Sequence, residues 1–319
     1  MAWDGIAWIK LNRPLTEEEK SRRLRIDVAA SNNPQDDFSV FAMNDVFLES
    51  TNAQFQRRGM LTYGGIFILP LGLFLTYIMI RMVTHIPPSM PRDASLAVVI
   101  ACLCALEAVV LGGMGFVVWA MLQENFSWTR FPVRFNRRTR MVHAYRGAGA
   151  KGVISVPWEK AFFFVEPRKK DPLSRTNSFN IRCHVLDNAG NVQQSFSVGS
   201  SVTSLSAEST EAGAKIVGEL ADQFEFIRRY MEDGPSAVPS PEVVPTNVSL
   251  SNSLKIWLRS DKKFLASRNP IAMLGLLLSP FAAFTGLLHY IGQLTSQQPV
   301  WPEEIERECE LGRGEPAKI

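Results

Sequence analysis

Two long apolar stretches in the first half of the chain constrain its architecture more than any other feature. Residues 61–80 carry no charged side chain, and residues 96–122 contain one ionisable side chain, Glu107. A helix needs roughly 20 apolar residues to cross the hydrocarbon core of a bilayer, which is about 30 Å thick. Both stretches meet this length, so the sequence predicts a transmembrane helical hairpin over residues 61–122.

The basic residues near these stretches indicate their orientation. Residues 82–95 of the connection between them contain one arginine, Arg92, whereas the two outer flanks contain several: Arg57, Arg58, Arg130, Arg134, Arg137, Arg138 and Arg140. Lys and Arg near membrane ends favour the cytoplasmic side. We therefore expect both flanks to be cytoplasmic. The start, MAWDGIAWIK, lacks the basic and apolar parts of a signal peptide, so the first stretch is expected to act as an uncleaved insertion signal.

A third apolar segment, residues 271–291, leaves two topologies open. Pro280 at its centre removes one helical hydrogen bond, which neighbouring helices or Ser279 can replace. A third, kinked span would place the acidic tail from Thr295 outside. A re-entrant or interfacial segment broken at Ser279 and Pro280 would keep that tail inside. We favour the full span, because the segment is long enough to cross.

Residues 123–234 contain short alternating runs typical of β-strands, followed by one amphipathic helix. The clearest β-hairpin has its turn at residues 187–191, where Asn and Gly supply the positive-φ positions that such turns require. In the helix, over about residues 206–232, one apolar stripe recurs at helical spacing: Ile216, Leu220, Phe224, Ile227 and Tyr230. Together, roughly six antiparallel strands and this helix predict a small, strongly bent sheet whose open end is covered by the helix.

These patterns predict a linear order of segments. They are a cytosolic N-terminal arm (1–60), the transmembrane hairpin (61–122), a β domain with its C-terminal helix (123–234), a Pro/Ser-rich linker (235–253), an interfacial and third membrane or re-entrant segment (254–294) and an acidic tail (295–319). In the fifth of these, Trp257 is expected at headgroup level, with Lys255, Arg259, Lys262 and Lys263 near anionic lipid.

Two resemblances add to this interpretation. The run GVISVPWEKAFFFVE, after FNRRTRMVHAYR, resembles bacterial membrane-tethered pleckstrin-homology-like (PH-like) domains, in which a helical hairpin precedes the sheet. The predicted fold class is therefore an α+β membrane protein with an N-terminal transmembrane hairpin, a PH-like antiparallel β domain closed by an amphipathic helix, and a C-terminal broken apolar helix. The order of hairpin, FPVRFNRRTRMVHAYR, GVISVPWEKA and QPVWPEEIEREC is similar to a proteobacterial membrane family associated with type VI secretion and toxin loci.

The sequence offers no pattern typical of catalysis, a cofactor or a metal. Its net charge of +3 is too small to indicate nucleic-acid binding, and its 4 cysteines lack metal-ligand spacing. Neither a nucleophile elbow, an HExxH helix nor a phosphate-binding glycine loop occurs. Gly147–Gly152 is glycine-rich but lacks the GK[ST] ending, so we interpret it as a connection. We expect a protein that is not an enzyme and uses no cofactor or metal.

Glu107 is the most unusual residue, because a carboxylate inside a bilayer costs at least about 3 kcal/mol on insertion scales. It can serve a proton or ion relay, or contact a partner helix. We favour a protonated side chain that is hydrogen-bonded inside the hairpin, or one drawn toward water.

Several residues are candidates for contact with lipid headgroups or a protein partner: Arg134, Arg137, Arg138, Arg168, Lys169, Lys170 and Trp257. The arginines near residue 134 have an alternative interpretation, in which they only set the membrane topology. The basic loop at residues 168–170 also has one, in which it is a solvated surface loop without a ligand.

These observations predict a bacterial inner-membrane protein with a cytoplasmic N-terminus and soluble domain. Its expected partners are the lipid bilayer and a protein, with a homo-oligomer left open. The family resemblance implies an immunity or accessory protein of a toxin (type VI) secretion system, whose partner is a toxin, effector or secretion component. The alternative is a membrane-anchored lipid-binding or envelope-homeostasis module.

Overall fold

The computed structural model describes residues 2–3, 8–52, 55, 58–86, 94–149, 152–168, 177–204, 206–259, 277 and 279–310. Some sequence predictions concern residues outside these ranges: Arg57, Arg92, Lys169, Lys170, Lys262, Lys263 and most of residues 271–278. The chain divides into two compact units, each built from separate parts of the sequence. We name them the sheet unit (Met1–Arg57, Trp128–Asn247, Gln298–Ile319) and the helical unit (Arg58–Ser127, Val248–Gln297).

The described residues form helices and antiparallel strands. The helices are α1 (Glu17–Ser21), α2 (Met60–Thr84), α3 (Ala94–Asn125), α4 (Glu211–Asp233), α5 (Leu250–Trp257), α6 (Ser279–Leu294) and α7 (Glu303–Glu310). The strands are β1 (Ala2–Trp3), β2 (Trp8–Ile9), β3 (Arg23–Leu24), β4 (Val40–Met43), β5 (Phe47–Ser50), β6 (Val133–Asn136), β7 (Met141–Tyr145), β8 (Val153–Pro157), β9 (Phe162–Pro167), β10 (Asn177–Leu186) and β11 (Val192–Ser204).

In the helical unit, α2 and α3 pack against each other as an antiparallel pair. Gly65 and Gly72 allow the close approach, because a methyl group at either position would collide with the side chain of Met121 or Met114. Both helices are long and apolar enough to cross a membrane. They extend beyond the predicted stretches at both ends.

The sheet unit contains two main antiparallel sheets. The strand order is β11-β10-β9-β3 in one and β4-β5-β6-β7-β8 in the other, and a separate small sheet pairs β1 with β2. The pairing of β10 with β11 confirms the predicted hairpin, and Gly190 in its turn has φ +82°. The pairing of β5 with β6 joins Phe47 to Asn136 and Ser50 to Val133. The N-terminal arm thus supplies strands to a sheet that continues after α3.

The core of the sheet unit lies between its two main sheets and α4. The predicted apolar stripe of α4 faces this core, with Leu220, Phe224, Ile227 and Tyr230 all buried. Trp158, itself fully buried, packs its ring against those of Phe135, Phe163 and Phe224. The chain is therefore a mixed α+β structure with antiparallel sheets and two long apolar helices, as predicted at this level.

Candidate functional site

Arg134 is the sequence-predicted contact residue with the most extensive set of partners. Its side chain is buried, and its Nε and Nη2 atoms donate to Glu49 Oε2 over 3.0 and 2.7 Å. The guanidinium carbon lies 4.5 Å from the centre of the Phe47 ring and 4.7 Å from that of Trp301. Burial lowers the pKa of Arg134, but Glu49 more than reverses that effect, so its pKa is raised. The guanidinium of Arg134 is thus engaged inside the sheet unit, and its contact with headgroups or a partner stays a prediction.

The same arginine organises the docking of the acidic tail. Trp301 Nε1 donates to Glu49 Oε2 over 3.0 Å, and Arg134 Nη1 donates to Cys309 Sγ over 3.5 Å. Ile305 packs with Trp301 and Tyr145 in a small apolar cluster. We call these six residues the tail clasp: Glu49, Arg134, Tyr145, Trp301, Ile305 and Cys309.

The tail clasp lies on the face of the five-stranded sheet that points away from the core. Val133 and Phe135 belong to the core, and side chains alternate between faces along a strand, so Arg134 points to the other face. On β7, His143 lies on this face too, with its Nδ1 2.9 Å from Ser155 Oγ and its Nε2 3.7 Å from a carboxylate oxygen of Glu308. Burial, assisted by Arg134, lowers the pKa of His143 to about 4.

The remaining candidates for headgroup or partner contact are spread over separate elements. Arg137 and Arg138 follow β6, and Arg137 lies against Gly234 at the end of α4. Arg138 is exposed, whereas Arg168, directly after β9, is partly buried. Trp257 ends α5 in the helical unit. The described members of this set thus do not form a single basic loop, and Lys169 and Lys170 lie outside the described residues.

Glu107 has a partner on the facing helix of the pair. Its Oε1 accepts a hydrogen bond from Thr76 Oγ1 over 2.7 Å, and both side chains are partly buried between α2 and α3. This contact supports the interpretation of Glu107 as a residue that is hydrogen-bonded within the hairpin.

A polar junction that the sequence analysis did not single out joins the start of α2 to the end of α3. Glu124 accepts hydrogen bonds from Gly59 N over 2.8 Å, from Thr62 N over 2.7 Å and from Thr62 Oγ1 over 2.7 Å. It thereby satisfies the free N–H groups of the first turn of α2, which a Gly59 N-cap cannot do. Arg58 donates to the backbone oxygens of Glu124 and Gly292, and burial lowers its pKa to about 10. We call Arg58, Gly59, Thr62 and Glu124 the polar junction.

A second missed cluster links Ser195, His184 and Glu19 in the sheet unit. His184 Nδ1 lies 2.9 Å from Ser195 Oγ, and its Nε2 lies 3.2 Å from Glu19 Oε1. The order of hydroxyl, imidazole and carboxylate resembles that of hydrolases. However, the serine hydroxyl is buried and also accepts from Arg182 Nη1 over 3.2 Å. The observed role of the trio is to tie α1 to β10 and β11.

The environment of His184 keeps it neutral and Glu19 charged. Burial lowers the pKa of His184 to about 4, an effect that Glu19 only partly opposes. Burial alone would raise the pKa of Glu19, but hydrogen bonds from Arg13, Thr16 and His184 outweigh it and lower the pKa to about 2. Within the described ranges, no group of three or more His, Cys, Asp or Glu is placed to hold a metal ion.

The lowered pKa of His184 predicts that acid destabilises the sheet unit. A histidine titrates near pH 6.5 in the unfolded chain but near pH 4 here, so below pH 6.5 the unfolded state binds the proton first. Stability should fall by up to about 3 kcal/mol between pH 6.5 and pH 4 from this group alone. In His184→Gln this part of the slope should vanish, as measured by urea unfolding of the full chain in detergent.

Above pH 7 the two proteins should show parallel stability curves, which provides the internal control. A variant whose stability falls with acid as steeply as that of the parent would contradict the prediction. His143→Gln should remove a similar part of the slope, because His143 is neutral for the same reason.

The tail clasp predicts a large effect of Trp301→Ala on the docking of α7. Trp301 is 7% exposed, and removing a buried indole costs about 3 kcal/mol. Glutamyl endopeptidase should then cleave at Glu303, Glu304, Glu306 and Glu308 at least about tenfold faster, because the tail undocks more often. Val300→Ala is the matched control, since Val300 is adjacent and 73% exposed. Equal cleavage rates in the two variants, measured by mass spectrometry, would refute the role of the clasp.

Comparison with known proteins gives a family for this chain. Neither a search of curated proteins nor a search of solved structures found a match. One family model, described as a family of unknown function (DUF6708), matches residues 114–313, which is more than half of the chain. The matched region begins inside α3 and includes β6–β11, α4–α6 and the tail clasp residues after Glu49. The chain belongs to the DUF6708 family.

Proposed function

We propose that the chain is an integral membrane protein in which α2 and α3 cross the bilayer and the sheet unit binds another protein in the cytoplasm, without catalysis. One observation carries the membrane part: these helices expose their apolar side chains. In their most apolar windows the mean hydropathy is 2.1 and 2.5, while only 6% and 0% of the residues are buried. A core helix of a water-soluble protein would bury such a surface.

The polarity of the hairpin supports this proposal. Phe67, Leu71, Val109 and Phe116 point outward with more than half of their surface exposed. The polar pair Thr76 and Glu107 instead meets between the helices. Apolar side chains outside and hydrogen-bonded polar groups inside suit a hydrocarbon solvent, where an unpaired polar group is costly.

The pairing of β5 with β6 supports the orientation. Residues before α2 and residues after α3 form one sheet, so both ends of the hairpin must lie on the same side of the membrane. The arginines on both flanks favour the cytoplasmic side, and the inner membrane of a bacterium follows from the family resemblance of the sequence.

The architecture of the sheet unit supports a protein-binding role. Two antiparallel sheets and one helix, α4, that covers the core between them are features that PH-like domains share. The resemblance to membrane proteins of type VI secretion and toxin loci narrows the proposal to an immunity or accessory protein, with a toxin, effector or secretion component as partner. Headgroup binding by the sheet unit has less support, because Arg134 is committed to Glu49.

The membrane proposal predicts a defined topology. Alkaline carbonate should leave the full chain in the membrane pellet, because the apolar surface of two spans outweighs any ionic attachment. Alkaline phosphatase inserted between residues 90 and 91 should be active, and a fluorescent protein fused to the N-terminus should fluoresce. As a control, phosphatase inserted between residues 188 and 189, in the exposed β10–β11 turn, should be inactive. Carbonate extraction of the chain, or an inactive enzyme at residue 90, would overturn the proposal.

The binding proposal predicts that the full chain, solubilised in detergent, retains the product of a neighbouring toxin gene. If the role is immunity, its co-expression should also protect cells from that toxin. Arg138→Glu tests the sheet unit, because Arg138 is exposed at the β6–β7 turn, and Val243→Glu is a control at another exposed position. A chain that is correctly inserted but neither retains nor neutralises the toxin would contradict this part of the proposal alone.

A further inference from the structure

We infer that α6 enters only one leaflet of the membrane, with its exposed apolar face in contact with the acyl chains of that leaflet. The chain after α6 then lies on the same side of the membrane as the chain before α5. This inference rests on the proposed insertion of α2 and α3 and deepens it, because it assigns a second lipid-contacting surface and fixes the side of the tail.

The first argument is that both ends of this segment join the sheet unit. Before it, Val244 N donates to Val40 O over 2.7 Å. After it, Trp301 and Cys309 are buried in the tail clasp against Glu49 and Arg134. A folded unit cannot be divided by a bilayer, so residues 248–297 cross the membrane an even number of times. A single full span, which the sequence favoured, is therefore incompatible with the docked tail.

The second argument excludes two crossings. Two helices that span would need roughly 40 apolar residues. Residues 248–297 contain one long apolar stretch, 271–291, and the residues before it include six charged side chains: Lys255, Arg259, Asp261, Lys262, Lys263 and Arg268. α5, with 8 residues, is about 12 Å long, which is shorter than the hydrocarbon core of about 30 Å.

The third argument is where α6 touches the hairpin. The Tyr63 ring lies 4.8 Å from that of Phe281. A methyl group at Gly59 would lie 3.0 Å from Thr285 O, and Arg58 donates to Gly292 O over 3.1 Å. On α6, the contacting residues extend from Phe281 to Gly292, a distance of about 16 Å along the helix. On the other side, they extend only from Arg58 to Tyr63, about 8 Å along the chain. α6 therefore crosses the end of the hairpin obliquely and does not run along it to the far leaflet.

The fourth argument is the polarity of α6, which is the reverse of that expected for a helix on a water-soluble protein. Its buried side contains Thr285, His289 and Gln293, and His289 Nδ1 lies 3.0 Å from Ser253 Oγ of α5. Its exposed side is apolar, with 36% to 58% of each residue exposed: Phe281, Phe284, Leu287, Ile291 and Leu294. Positions 281, 284, 287, 291 and 294 recur at helical spacing, so they form one continuous face, which borders Tyr63 of α2 at Phe281 and Phe284.

Lipid is the occupant that fits this face. The face belongs to a helix that packs on the polar junction, at the end of the hairpin where α2 enters the proposed bilayer and α3 leaves it. Lys255 and Arg259 on or beside α5 supply the basic flank that anionic headgroups attract. The buried polar groups of α6 have partners in α5 and in α6 itself: His289 meets Ser253, Thr285 Oγ1 donates to backbone oxygens of α6, and Gln293 lies against His289. Its apolar face is thus left for hydrocarbon.

The first test is the side of the tail in the full chain. A fluorescent protein fused after Ile319 should fluoresce, and alkaline phosphatase at the same place should be inactive, while phosphatase between residues 90 and 91 is active. An active enzyme at both positions would overturn the single-leaflet segment and leave the hairpin standing. An inactive enzyme at residue 90 would overturn the proposed function itself.

The second test is the solvent around α6. Cys102→Ala and Cys104→Ala remove the two exposed thiols, and Leu287→Cys or Ile291→Cys then adds one on the apolar face. In membranes opened to the cytoplasmic side, a hydrophilic maleimide should label these thiols at least about tenfold more slowly than Val243→Cys, because a thiol in hydrocarbon forms little thiolate. Detergent should abolish the difference.

Equal labelling of Leu287→Cys and Val243→Cys before detergent would show that this face lies in water and would overturn the inference. Leu288→Cys distinguishes burial in protein from burial in lipid, because Leu288 is only 5% exposed. In mild detergent, the thiol of Leu288→Cys should still be labelled slowly, whereas the thiol of Leu287→Cys should be labelled fast. If both thiols are labelled slowly in detergent, position 287 lies against protein, which would also contradict lipid contact.

Discussion

The pairing of β5 with β6 is the constraint on which the rest of the molecule depends. It makes the helical hairpin an insertion within one sheet, because the strand before α2 and the strand after α3 are neighbours. It fixes both ends of the hairpin on one side of any membrane that the hairpin crosses. It also creates the surface to which the tail docks, since Glu49 comes from β5 and Arg134 from β6. The same two strands thus determine the topology of the hairpin and the position of the C-terminal tail.

The features that could be predicted from the sequence are those that depend on a pattern among residues close together in the chain. The two apolar helices follow from uncharged runs, the β10–β11 turn from Asn and Gly, and α4 from apolar residues such as Leu220 and Phe224 at helical spacing. Each of these needs only residues that are close in sequence. The N-terminal strands could not be located in this way, because β4 and β5 are 4 residues each and find their partners across the whole hairpin.

The candidate site was harder to predict, because the residues next to each site residue in the sequence do not indicate its partners in the fold. An arginine near a membrane end is expected to mark topology, and nothing near Arg134 in sequence shows that its partner is Glu49, 85 positions earlier. The tail is strongly acidic, yet Ile305 and Cys309, four residues apart, face inward on α7. In the same way, the apolar run at 271–291 has the same composition whether it spans or enters one leaflet. Only the long-range contacts of Trp301 distinguish these two topologies.

The tail clasp also has a consequence for biosynthesis. The ribosome makes residues 298–310 after every residue on which they dock, so Glu49 and Arg134 are both synthesised before Trp301. Until then, Trp301 and Ile305 cannot cover the outer face of the five-stranded sheet. Completion of translation closes that face, and so the nascent and the finished chain present different surfaces to the cell.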